Sequence, residues 1–593
     1  MADGFLQRYN DELAAIRRRA ARFADAFPKI AGRLRVTGEV ADDPHVERLI
    51  QSFAYSAARV RQKLDDEFPE LTDGLLETLY PHYLAPLPSM SIVRFTPSST
   101  LASIQTVPRH TEIFAEPIGG ESCRFRTTQD TQVAPIEIVS ASLTGHPISA
   151  PPSSHAGAAG CLRLSIRARD TNKPFSEIGL DRLRLHIGSS WQQAVAIHEL
   201  LVNHTLGIAL AHHADDRSPV MLPAKALQAV GFEPDEAILP YPSASFAGYR
   251  LLTEFFALPQ KFLFIDIVGL RAWRGETLEI FIYLDETSAK LERDISARDF
   301  VLNATPIVNL FRQKCEPIAL DGTRTEYRVL PDARRQKTRE IYAIEKVVVS
   351  GRTGDEEQCQ PFFGRSLKGG ASSLFWQCAR RFDADDHTSD MEITFVDRAR
   401  RPSGPIDKIA SIDALCLNRE LPEQLPFGGG HPYLQLASGS EAVGSVEALM
   451  APTPSVRMNE QQGRNWRLMS HLQLNHLSIF DNDGAALKDI LALYAFRDSR
   501  ETRQLADALV RVEAKSSMTR LGSGGMVTGT DIRLEFDPAA IDRPSAYLFG
   551  SVLDRFFGLY TSINSFTRLS VSMKGQTKPI AVWPARAAER PLL

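Results

Sequence analysis

"YPHYLAPLPSMSIVRFTP", residues 80–97, is where the hydrophobic period of this chain changes. Just upstream, Leu71, Leu75, Leu76 and Leu79 recur at helical spacing. Pro81, Pro86 and Pro88 then withhold backbone donors, which predicts a break in regular structure. From Ser91 the period becomes two, and "SIVRFTP" reads as a half-buried strand. A helical region therefore ends near residue 88 and a β-rich one begins at 89. The class this implies is α+β, in several domains.

Two more helices precede the switch. Tyr9, Leu13, Ile16, Ala20, Phe23 and Phe27 follow a 4-3-4-3-4 spacing, the seam of a short coiled coil or of an ordinary packed helix. Pro28 is expected to end it. Asp43-Pro44 reads as a cap followed by a proline in the first turn. Val46, Leu49, Ile50, Phe53, Ala57, Val60 and Leu64 form the apolar stripe of that helix, closed by Pro69.

Downstream, "CRFRTTQ", "CLRLSIRAR" and "RLRLHIG" alternate as strands, and "FLFIDIVGL" and "LEIFIYL" add more. The Pro/Ser/Gly/Ala stretch 140–160 reads as a loop. "DNDGAALKDILALYAF" predicts a turn and a helix, "RLEFDP" a strand, and "FTRLSVSM" another. Four regions result: a helical 1–88, β-rich domains over 89–320 and 321–450, and a mixed α/β domain over 451–593.

Between the last two strands lies "YLFGSVLDRFFGLYTSI", 547–563. On a helical wheel Leu548, Phe549, Val552, Leu553, Phe556, Phe557, Leu559, Tyr560 and Ile563 cover one half, with Ser545 a candidate N-cap. Burying that face is worth roughly 15–25 kcal/mol before ordering entropy. The other half is mostly small: Gly550, Ser551, Gly558 and Ser562 accompany Asp554 and Arg555. Small residues let another backbone come close. The pattern fits a helix buried on nearly all sides, or one covered partly by a partner chain.

Composition excludes several classes. The 593 residues are 43% hydrophobic and 24% charged, ordinary for globular cores. A net charge of −4 gives no basic field for nucleic acid. Six cysteines without a CxxC suggest a reduced, cytosolic protein. The amino terminus has no apolar core of a signal peptide, and no 18-residue run is free of charge, so no membrane span is expected.

Chemical motifs fail on spacing. In "HELLVNH" (198–204) Val202 stands where HExxH needs its second histidine. His204 with His212, His213, Asp215 and Asp216 is a metal candidate only by composition, and such clusters are usually polar loops. "DNDG" at 481–484, aligned on Gly484 as an EF-hand, puts Ile479 and Ile490 at positions that need oxygen ligands. "LGSGGMVTG" lacks the Lys-Ser/Thr of a phosphate loop and reads as a flexible loop. No GxSxG elbow occurs. No catalytic, cofactor or metal residue is assigned. The rival reading is a soluble enzyme with dispersed residues, a metal-dependent hydrolase around His204, His212 and Asp215; a nucleic-acid binder comes third.

Long segments resemble one family. "YNDELAAIRRRAARFADAFPKIAGRL" and "DDPHVERLIQSFAYSAARVRQKLDDEFPELTDGLLETLYPHYLAPLPSM" are similar to the TssF (VasA/ImpG) family, baseplate subunits of the bacterial type VI secretion system. The likeness continues through "GYRLLTEFFALPQKFLFIDI", "CLNRELPEQLPFG", "WRLMSHLQLNHLSI" and "YLFGSVLDRFFGLYTSINSFTRLSV"; residues 336–360 depart from it. The resemblance implies a non-enzymatic wedge scaffold without cofactor. Its implied partners are TssG, a second TssF copy (two per TssG), TssK and TssE, with the VgrG hub and the sheath as further contacts. It implies no nucleic acid and no membrane insertion, and a place at the cytoplasmic face of the inner membrane. Candidate interface residues are Tyr9, Leu13, Ile16, Phe23 and Phe27 on the first helix, and Gly550, Ser551, Gly558 and Ser562 on the last.

Overall fold

The structure is a computed structural model. It describes residues 9–10, 13–14, 16–17, 23, 29, 36–37, 40–41, 43–65, 76–77 and 79–591, apart from 153–154, 156, 171–173, 243–244, 322–323, 352–355, 363–373, 384–387, 398–407, 458–483, 495–503, 506, 521–525, 562–564 and 588–589. The chain divides into two compact units, and the larger holds Thr78–Met458 and Leu474–Leu593.

In the smaller unit the helix Pro44–Asp65 starts as expected. The Asp43 carboxylate accepts from the His45 N–H at 2.9 Å, and its carbonyl accepts from Glu47 at 3.0 Å. Its burial departs from the sequence pattern. Ala54 and Ala58 are buried, while Leu49, Phe53 and Val60 of the apolar stripe are 69%, 68% and 61% exposed.

The larger unit is sheet-rich. Met90–Pro97 enters a closed six-stranded barrel in the order 304–308, 90–97, 443–448, 434–436, 112–118, 121–127. Alternation fills it with Val93, Phe95, Ile113, Cys123, Phe125 and Ile307. The expected break in regular structure does not fall at Pro81. Pro81 begins one turn, Pro81–Leu84, at a position whose N–H needs no partner.

A five-stranded antiparallel sheet joins Ile136–Thr144, Gly160–Ala168, Leu278–Leu284, Thr205–Ala211 and Val220–Pro223. The loop expected at 140–160 is therefore a strand through Thr144, paired with "CLRLSIRA". Its small polar residues suit an exposed outer strand. A four-stranded sheet contains Arg182–Ile187 and Phe264–Val268. An eight-stranded sheet is built around Glu340–Gly351 and Lys408–Leu417.

At the carboxyl end, Met526–Phe536 and Ser565–Met573 pair in parallel, with the helix Arg543–Leu559 as their crossover. The Met526–Gly529 part of "LGSGGMVTG", expected to be a loop, lies in the first of these strands. The helix cap is Asp542 rather than Ser545: its carboxylate accepts from the Ser545 N–H at 3.1 Å. Pro544 has no N–H, so Ser545 supplies the free donor that the cap meets. The helix ends at Leu559, with Tyr560 as C-cap.

Candidate functional site

Two places carry the sequence candidates: the histidines, and the faces of the first and last helices. His198 and His204 both ride on Trp191–His204. His198 is fully buried, neither ring nitrogen has a hydrogen-bond partner among the described residues, and burial pushes its pKa down to about 4. It is a core side chain.

His204 sits in an ionic knot. Nδ1 is 2.6 Å from Asp285 Oδ1 and Nε2 is 3.1 Å from Glu199 Oε1. Glu286 lies 3.4 Å from Nε2 and is held by Arg543 at 3.0 Å. Arg543 also reaches His204 Nε2 at 3.1 Å. Burial disfavours the imidazolium, but the bonds to Glu199 and Asp285 and the field of Glu286 outweigh it, and the pKa is raised. Burial likewise opposes ionisation of Glu286, yet Arg543 and His204 hold its pKa below the ordinary value. Two cations among three carboxylates make a clasp between the 191–204 helix, the segment after Leu284 and the start of the 543–559 helix. No local pattern announces it, because Asp285 and Arg543 lie 81 and 339 positions from His204.

His212 does not join His204 in a metal set. Its ring packs on Trp273 at 4.6 Å, and its backbone N–H donates to Asp216 at 3.1 Å. Asp216 also accepts from the Ser218 N–H, which lowers its pKa. This is loop closure. Among the described residues no group of three or more His, Cys, Asp or Glu is placed to hold a metal ion.

The last helix is buried around nearly its whole circumference. Phe549 stacks on Phe255 at 5.3 Å, Tyr547 stacks on Trp583 at 5.4 Å, and Phe556 meets Tyr249 at 5.8 Å. The small strip meets the chain's own elements. A Cβ at Gly550 would lie 2.8 Å from the Trp583 ring and 2.9 Å from Val571. The Ser551 hydroxyl donates to the Tyr547 carbonyl at 3.0 Å. Gly558 is buried, and Ser562 lies outside the described residues. Asp554, 1% exposed, pairs with Arg586 at 3.0 Å. Burial raises its pKa against that pairing.

On the first helix Tyr9, Leu13 and Ile16 are helical and half-buried, Phe23 is helical and 40% exposed, and Phe27 lies outside the described residues. In the same unit Arg17 pairs with Glu47 of the 44–65 helix. The exposed Leu49, Phe53 and Val60 belong to the apolar stripe that the sequence shows on this helix. Its spacing was the signal; what covers it is not encoded in spacing.

No helix among the described residues is long and apolar enough to cross a membrane.

Comparison with known proteins gives a full-length match. The family model described as "Type VI secretion system, TssF" matches residues 1–590. The curated Type VI secretion system component TssF1 of Pseudomonas aeruginosa (strain PAO1) is 33% identical over 624 aligned positions, covering 99% of each chain. Among solved structures, a chain of a type VI secretion system TssK-TssF-TssG baseplate subcomplex determined by cryo-electron microscopy aligns with TM-score 0.76 and 26% identity. It covers 92% of this chain and 99% of that one. A chain of a baseplate complex from the type VI secretion system shares the fold at TM-score 0.62 and 23% identity, covering 99% and 100%.

Proposed function

The chain belongs to the TssF family of type VI secretion system proteins, and from that premise we propose that it is a non-enzymatic structural subunit of the baseplate wedge. Two copies join one TssG, and TssK and TssE dock on the wedge so formed. The VgrG hub and the contractile sheath are its further contacts, at the cytoplasmic face of the inner membrane. The reading uses no cofactor and no nucleic acid.

The observation that carries it is the end-to-end likeness to a chain solved inside a TssK-TssF-TssG subcomplex. The exposed Leu49, Phe53 and Val60 support it, since an apolar stripe on a 22-residue helix is costly in water and suits a partner helix. Tyr9, Leu13, Ile16, Phe23 and Phe27 are assigned to the same helical contact. Gly550, Ser551, Gly558 and Ser562 are assigned to close approach rather than to chemistry.

Co-expression with TssG followed by light scattering tests the assignment. A stable complex of two copies of this chain with one TssG is expected. A folded monomer that ignores TssG would overturn it.

A further inference from the structure

The larger unit contains a cavity whose charge is unmatched. The Pro81–Leu84 turn, the segment 85–88, the Gly248–Ala257 helix, the Glu340–Gly351 strand and the Ala485–Tyr494 helix meet around it. His82, Tyr83, Tyr241, Arg250, Thr253, Tyr342 and Tyr494 supply its polar wall, and leucine, proline, alanine and valine the rest.

Arg250 is 7% exposed, and its side chain makes no hydrogen bond or ion pair among the described residues; Nε is buried without an acceptor. The carboxylate one helical turn on is occupied. Glu254 Oε1 accepts from the N–H groups of Ile238 at 2.9 Å and Leu239 at 3.0 Å, and Oε2 pairs with Lys261. A guanidinium cannot shed its proton near neutral pH, so its charge has to be met by an anion or by solvent.

Four of the other wall groups divide in two. The Tyr241 hydroxyl donates to the Phe246 carbonyl at 2.9 Å, and the Thr253 hydroxyl donates to the Tyr249 carbonyl at 2.9 Å. The Tyr342 hydroxyl makes no hydrogen bond among the described residues, and His82 Nδ1 is buried without a partner. Burial holds His82 neutral, its pKa pushed down to about 3, and its ring lies 3.9 Å from that of Tyr241. No carboxylate lines the cavity. A guanidinium, a phenol and a neutral imidazole, without a competing acid, form a donor set for an anion. The space admits about one water-sized body, which excludes a nucleotide or a peptide side chain.

We propose that the Arg250 cavity binds one small monovalent anion of the size of chloride. The ion would tie together segments that carry residues 82, 250, 342 and 494, and it would stabilise the folded unit as any ligand of the native state does.

Thermal unfolding of the full chain in sodium chloride and in sodium gluconate at equal ionic strength tests this. A melting temperature higher in chloride by about 2 °C or more, rising with chloride concentration, is expected. Arg250→Met should abolish the difference. Tyr342→Phe, which keeps the ring, should raise the chloride concentration needed about tenfold, and it decides the matter if Arg250→Met fails to fold. Crystals grown in bromide should show an anomalous peak within hydrogen-bond reach of Arg250. Equal melting in both salts, a chloride effect that survives Arg250→Met, or water alone in the cavity would each overturn the proposal.

Discussion

At the scale of single residues, the small strip of the last helix gives the sharpest test. Gly550 faces Trp583 and Val571 at distances that no real Cβ keeps. Gly550→Leu must displace both, and overpacking of this kind costs about 1–3 kcal/mol. Urea unfolding should register that loss; an unchanged midpoint would mean that the contact yields freely. His204 gives a second test, because its pKa is raised in the fold. A raised value means that the clasp stabilises fully below the ordinary histidine value and that this contribution is lost as pH rises through the folded value. The stability difference between the native chain and His204→Gln should therefore be largest near pH 6 and shrink as pH rises above the ordinary histidine value. A difference that grows with pH would contradict the assignment. Neither site was fully legible in the sequence. The sequence shows Gly550 in a small strip, but nothing in it names Trp583 as the neighbour. His204 reads in sequence only as a metal candidate by composition, because carboxylates beyond position 280 and an arginine at 543 have no local signature.

At the scale of elements, periodicity read most strands and the last helix well. It failed where burial is decided by something other than the element itself. The 44–65 helix has a regular apolar stripe, yet in the structure Leu49 and Phe53 face out, and alanines take the buried side. Residues 140–144 are mostly small and polar on an outer strand, so composition disguised that part of Ile136–Thr144 as a loop. The exposed stripe has a consequence of its own. Phe53→Asp removes apolar area that the folded chain leaves in water, so its stability should change by no more than about 0.5 kcal/mol. Association with TssG should nevertheless fall by at least tenfold, and Ile16→Asp should act likewise, both read by co-purification and by the melting curve. A Phe53→Asp chain that binds TssG at native strength would remove the helix from the contact.

At the scale of the whole molecule, the barrel links distant parts of the chain. Met90–Pro97 pairs with Val443–Ala448 through Val446 opposite Phe95, and Leu434 lies opposite Ala115. No sequence period predicts that closure, because pairing partners 350 residues apart leave no mark on either strand. Without the 434–448 segment, the strands 90–97 and 112–118 would each expose an unpaired edge. The barrel should therefore open and close as one cooperative body, even though its strands are made far apart in synthesis. Val446→Pro puts a residue without a backbone donor into a closing strand. Hydrogen exchange in that variant should show protection lost together in 90–97, 112–118 and 443–448. The sheet of Met526–Phe536 and Ser565–Met573, crossed over by its own helix, should keep its protection. Loss confined to 443–448 would mean that the amino-terminal strands hold without their partners, and that the barrel is a frame completed by the late strands rather than defined by them.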